Sequence, residues 1–185
     1  MLWYCDLRGF TSMSERLPRE DVVAILNSYF EVMGEAVQSR GGEILKFVGD
    51  GMLAIFPLDG PTAGGPAGSI ATGLALDAGR DAVAGLARLN AERSAWGQPT
   101  LQCGIGLHLG DVMYGNIGAA NRLDFTVIGP AVNLVTRIEG LCKRLDRPLL
   151  TSAVFAACCP SPLLSLGFQP VRGLTEPVEV FGLPE

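Results

Sequence analysis

Two apolar runs, Ile44 to Val48 and Met52 to Phe56, are joined by only Gly49-Asp50-Gly51. A link that short leaves no room for a crossover connection, so the runs form an antiparallel hairpin and cannot be consecutive strands of a doubly wound parallel sheet. Glycine supplies positive φ at little steric cost, which puts Asp50 at a tight, exposed turn. Lys46 lies in the first strand, in a run otherwise too apolar for a solvated edge. Each feature alone has a bland explanation, because Asp-Gly is common in hairpin tips and a single strand lysine guards against edge pairing. A second aspartate upstream and an Asn/Arg helix downstream give them meaning together.

At 185 residues and 48% hydrophobic content the chain is read as one domain, 1–185, with enough apolar material for a sizeable core. Its formal net charge of -5, with no dense Lys/Arg block, argues against nucleic acid or an anionic membrane as partner. A soluble role with a small or metal-bridged ligand fits better. The five cysteines are odd in number and lack C-x-x-C spacing or a histidine cluster, which argues against a disulfide framework or zinc site and suits a cytoplasmic location. Pro148 to Val171 carries no charge for 24 residues, yet Pro160, Pro162 and Gly167 interrupt it. It reads as strand, short helix and strand, not as a membrane span.

Leu2 to Cys5 is β-prone and runs straight into Asp6, so a core strand begins almost at the first residue and further sequence is expected upstream. Leu7 to Ser12 makes a strand-to-helix turn, for which Thr11 or Ser12 is the ordinary cap. Residues 19–39 form an amphipathic helix, with Val22, Leu26, Tyr29, Phe30, Met33 and Val37 at three- and four-residue spacing. After the hairpin, 59–68 is a Gly/Pro-rich loop and 69–96 an alanine-rich helix. Leu101 to Leu109 is a strand, with Asp111 to Ile117 expected to return as its partner across Gly110. His108, the single histidine, reads as a structural strand residue. Gly129-Pro130 signals a helix start, and Asn133 and Arg137 then share one helix face. Strands follow near Leu149-Leu150, Leu166 to Pro170 and Val178 to Phe181. The order predicts an α+β fold with a ferredoxin-like, palm-type βαββαβ core, an antiparallel-rich sheet and additional C-terminal strands.

Asp6 and Asp50, each at a strand end or tip, are minimal equipment for holding two hard divalent cations on a polyphosphate, since magnesium prefers carboxylate oxygens. Two carboxylates brought close repel unless a cation sits between them.

Three spaced motifs carry a resemblance: D-L-R-G-F-T at Asp6 to Thr11, K-F-V-G-D-G at Lys46 to Gly51, and T-V-I-G-P-A-V-N-L-V-T-R at Thr126 to Arg137. In that order, across nearly the whole chain, they resemble the catalytic domain of class III adenylyl/guanylyl cyclases. The resemblance implies conversion of ATP to 3′,5′-cyclic AMP and pyrophosphate with two Mg2+ or Mn2+. It implies Asp6 and Asp50 as metal ligands, Gly9, Phe10 and Thr11 as a backbone cradle for phosphates, and Lys46 and Thr126 as readers of the purine edge. Asn133 would orient the ribose and Arg137 would meet charge on the α-phosphate. Arg172 is the one basic candidate near the late loop that reaches the triphosphate, and Asp111 is given no role. The resemblance further implies a homodimer with sites built at the interface, and the abrupt first strand leaves room for an upstream regulatory domain. Threonine at position 126, where many members have aspartate, matches a bacterial variant.

Three other readings remain. A non-catalytic nucleotide-binding dimer would lack turnover, and a guanylate cyclase commonly has an acidic residue at position 46. A receiver-type pocket needs parallel strands that the 49–51 link forbids.

Overall fold

The computed structural model describes residues 1–58, 65–119 and 122–184, and their side chains except at 66, 114, 117–119 and 122–126. Strand β1 (Leu2–Leu7) leads through a five-residue helix α1 (Phe10–Ser14) into α2 (Arg19–Gln38). The hairpin β2 (Glu43–Val48) and β3 (Gly51–Ile55) follows, then α3 (Pro66–Ala95) and β4 (Cys103–His108). A second hairpin, β5 (Met113–Ala119) and β6 (Arg122–Ile128), precedes α4 (Pro130–Glu139). The chain ends with β7 (Leu149–Ser152), α5 (Ala153–Cys158), β8 (Leu164–Gln169) and β9 (Val178–Gly182).

Seven strands form one sheet in the order β2-β3-β1-β4-β7-β9-β8, antiparallel except for β4 with β7. β1 and β2 are both antiparallel to β3, which sits between them, so β1-α2-β2 is the split βαβ unit the element order predicted. The palm-type α+β expectation therefore holds, with β7 to β9 added on the far side of β4.

Alternation along β1 decides what each face does. Trp3, Cys5 and Leu7 point to the face covered by α2 and α3, where they join Tyr29, Met33, Leu76 and Ile105 in the main core. Burying side chains of that size stabilises the fold by roughly 1.5 to 3 kcal/mol each. Leu2 and Tyr4 point to the opposite face, against Leu53, Val127, Ala131 and Val135. Asp6 follows in that register, so it lies on the face that carries α4.

α3 begins at Pro66, just after Gly65, three residues before the expected start at 69. Its buried face is made largely of Ala71, Ala75, Ala78 and Ala82 with Leu76 and Leu86, while Leu74 is 39% exposed. Small side chains let α3 approach its neighbours closely; a Cβ on Gly79 would run into Leu149 of β7, and one on Gly85 would lie 2.7 Å from Val32 of α2.

One pairing differs from expectation. Residues 111–117 do not return along β4; β5 pairs with β6 in a separate two-stranded sheet, Met113 opposite Ile128. Both edges of β4 are already taken, by β1 and by β7. The uncharged segment 148–171 is β7, α5 and β8, and among the described residues no helix is long and apolar enough to cross a membrane. All five cysteines are free thiols.

Candidate active site

The hairpin tip and the end of β1 meet at one rim of the sheet. Asp6 pairs with Gly51, the first residue of β3, so Asp50 is the residue immediately before Asp6's cross-strand partner. Gly51 also pairs with Val48, which shortens the turn to Gly49-Asp50, with Gly49 at φ 62 where a side chain would be strained. Asp50 is half-buried there, not exposed as the turn alone suggested. Its carboxylate is within hydrogen-bonding reach of Asp6. Burial first, then the charge and hydrogen bond of Asp50, push the Asp6 carboxyl up to about 6, against a backbone N–H donated by Leu7.

A third acid stands nearby. Glu139, at the end of α4, is pushed up to about 7 by burial and by the charges of Asp6 and Asp50, with Arg8 opposing. Tyr4, between the same groups, has its phenol raised by burial, Asp6 and Glu139. Among the described residues no group of three or more His, Cys, Asp or Glu is arranged to hold a metal ion unaided. The Asp6/Asp50 pair nevertheless fits hard divalent cations: its donors are oxygens only, and the strain of holding both charges is what a dication relieves.

Lys46, Asn133 and Arg137 gather elsewhere. They line one open groove of about 900 Å³, floored by residues 127–134 and rimmed by Asp111 and Leu174. Lys46 is exposed on the edge strand β2. Gly129, at φ 150, precedes Pro130 in the first turn of α4, and Ala131, Val135 and Ile138 bury the opposite side. Asn133 and Arg137 are thereby turned outward. Arg137 and Glu139, two residues apart, project about 160° from one another, so α4 faces Asp6 with one side and the groove with the other. Neither Asp6 nor Asp50 lines the groove.

Of the remaining candidates, Gly9 adopts the left-handed conformation, φ 72, and caps α1 without a side-chain bond, so neither Thr11 nor Ser12 is the cap. Phe10 and Thr11 open that helix. Thr126 lies in β6 opposite Gly115, and its side chain falls outside the described residues. Arg172 is exposed in a turn closed by Leu174 N–H donating to the Val171 carbonyl. The next residue, Gly173 at φ 78, lies against the Arg137 guanidinium, where a Cβ would come within 3.2 Å of Nη2. His108 is buried, and its Nδ1 is 2.8 Å from the hydroxyl of Ser152, the cap of α5. Asp111, left without a role in the motif reading, is a groove residue that lay outside all three motifs.

A family model described as "Adenylate and Guanylate cyclase catalytic domain" matches residues 1–146. The chain belongs to that family. This cyclase domain is 39% identical over 163 residues to an adenylate cyclase of Anabaena cylindrica, covering 85% of the domain and 30% of the relative. Among solved structures it resembles the adenylyl cyclase CyaB from P. aeruginosa, at 27% identity and TM-score 0.79, covering 100% of the domain and 92% of that chain. It also resembles the guanylyl cyclase Cya2, at 32% identity and TM-score 0.77 with the same coverage. The domain thus spans under a third of the length of the Anabaena relative.

Proposed function

We propose that this domain converts ATP to 3′,5′-cyclic AMP and pyrophosphate as a homodimer. The observation that carries the reading is the division of the site: a strained carboxylate pair at one place on the chain, and Lys46, Asn133 and Arg137 in a groove at another. Two copies facing each other would join the pair of one to the groove of the other, twice by symmetry. Exposed apolar side chains on the hairpin and groove rim, Phe47, Val48, Ile128 and Leu174, suit such a contact.

Asp6 and Asp50 would hold Mg2+ or Mn2+ with oxygens of the triphosphate completing the shell. Bound dications supply a lowered pKa for the attacking 3′-hydroxyl and neutralise charge on the leaving pyrophosphate. The chain's residues do the rest. Asn133 orients the ribose, and the Arg137 guanidinium meets negative charge growing on the α-phosphate, where a fixed donor is worth more than in water. Gly173 against Arg137 keeps the neighbouring turn close without filling its space. Arg172 on that turn, and the backbone of Gly9, Phe10 and Thr11, reach the outer phosphates. Lys46 donates to adenine's ring nitrogens and Thr126 accepts from its amino group.

A guanylate cyclase is the second reading, favoured by the likeness to Cya2. Lys46 argues against it, because guanine's O6 and N2 ask for a different donor and acceptor set. The test is product analysis by mass spectrometry after incubating the purified chain with Mn2+ and ATP or GTP, over a protein dilution series. The expected result is cyclic AMP, little cyclic GMP, and specific activity that falls on dilution. Equal rates with both nucleotides would sink the base assignment, and activity independent of concentration down to a demonstrated monomer would sink the composite site.

A further inference from the structure

The central strand β4 spends two of its six positions on glycine, Gly104 and Gly106, although every residue in it is buried. Glycine in a strand interior weakens the strand, so its presence asks for a close approach. Neither has positive φ, so the need is for space and not for backbone freedom. What fills the space is one residue of α4. A Cβ on Gly104 would collide with Oε1 of Glu139 and lie 3.0 Å from its Cδ; one on Gly106 would lie 3.1 Å from Glu139 Cβ and 2.9 Å from its backbone nitrogen.

Gly104 is the cross-strand partner of Asp6. Directly opposed residues project to the same face, so the Glu139 carboxylate lies where the Gly104 side chain would stand, alongside Asp6. Asp6 is flanked on β1 by Tyr4, whose hydroxyl reaches within 2.5 Å of a Cβ position on Gly51, beside Asp50. Beyond it, Arg8 spends Nη2 on the Arg147 carbonyl at 2.8 Å, and its buried Nε is unpartnered. The floor of the aspartate pair is therefore an acid in a slot cleared for it.

We infer that Glu139 is a positioning residue acting through Asp6, its carboxylate seated in the Gly104 slot to raise the affinity of the Asp6/Asp50 pair for a divalent cation. This rests on the cation reading of that pair. Glu139 acts through the field it adds beside a cation's first ligand, and through fixing where that ligand's carboxylate can turn. It is not counted as a ligand.

The experiment measures Mn2+ binding to the whole chain without nucleotide, by loss of the free-ion electron paramagnetic resonance signal. Wild type is compared with Asp6→Asn, Glu139→Gln, Glu139→Asp and Gly104→Ala, with circular dichroism and melting to confirm folding. Glu139→Gln should weaken Mn2+ binding about tenfold, as loss of outer-shell partners typically does. Glu139→Asp should recover most of it, while Gly104→Ala, which keeps the charge but evicts it, should weaken binding as Gln does. The Mn2+ concentration for half-maximal cyclic nucleotide formation should rise by the same factor. Wild-type affinity in folded Glu139→Gln, with binding lost in Asp6→Asn, overturns the inference and leaves the cation reading standing. Undiminished binding in Asp6→Asn overturns the cation reading, and the inference with it.

Discussion

The carbonyl oxygen of Val135 lies 2.5 Å from the point where a side chain on Gly106 would begin, so helix α4 rests on the bare backbone of the central strand. That contact sets the height of the helix carrying Asn133 and Arg137. In Gly106→Ala the added methyl meets backbone on two sides, Val135 O and Glu139 N, neither of which can swing away. Overpacking of this kind costs about 1 to 3 kcal/mol. Denaturant melts should show that loss, and turnover of the fraction still folded should fall because α4 is displaced from the groove. A variant as stable and as active as wild type would mean α4 does not rest on β4 here.

The carboxylate pair makes a prediction about pH with a definite sign. Asp6 titrates near its ordinary 3.8 in the unfolded chain and at about 6 when folded. Between those values the folded state holds more protons than the unfolded, so stability falls as pH rises from about 4 to about 6. Two units would be worth about 3 kcal/mol unscreened; Asp6 is half in solvent, which brings the expectation to about 1 to 2 kcal/mol. Glu139 adds to the same trend up to about pH 7. Metal-free protein at pH 7.5 should therefore melt lower than Asp6→Asn, and Mn2+ should raise the melting point of wild type only. Equal melting points for the two, with and without Mn2+, would contradict this.

The hairpin tip was legible because its glycines leave few alternatives: a link of three residues between apolar runs dictates an antiparallel pair. The same logic exposed Gly129-Pro130 as the start of α4. The partner of β5 was not legible, since β4 takes its neighbours from residues 2–7 and 149–151, and no local pattern announces such distant pairing. The packing face of α3 hid for a different reason, because alanine serves buried and exposed helix positions alike. Glu139 gave no signal as a lone acid two residues after Arg137. The signal that could have found it was the glycine pair inside an apolar strand, Gly104 and Gly106, which marks a close approach without saying by what.

His108 opposes the carboxylates. Burial pushes its imidazole down to about 4 from 6.5, and it remains neutral beside Ser152. The unfolded chain takes up that proton first, so this group destabilises the fold as pH falls from about 6.5 to about 4. Over that window Asp6 and Glu139 pull the other way. His108→Gln should be less stable at pH 7.5 by about 1 kcal/mol for the lost hydrogen bond. Freed of the opposing term, it should gain stability on acidification more steeply than wild type. Chemical denaturation at pH 4.5, 5.5 and 6.5 checks the sign, and parallel curves for the two proteins would remove His108 from the account.

The division of the site makes the sharpest prediction. Arg137→Ala should lose roughly 10² to 10³ in turnover if its guanidinium serves transition-state charge, and Asp6→Asn at least as much. Each variant damages a different half of every composite site. In a mixed dimer one site would receive both defects and the other neither. Equal mixing makes half the dimers heterologous, each with one intact site of two, so the mixture should recover about a quarter of wild-type activity. Asn133→Ala should likewise complement Asp6→Asn but fail with Arg137→Ala, because those two residues share the α4 side of the groove. A site built within one chain cannot be restored by mixing, so activity no higher than the average of the two variants, in mixtures shown to have exchanged subunits, would return both halves to a single subunit.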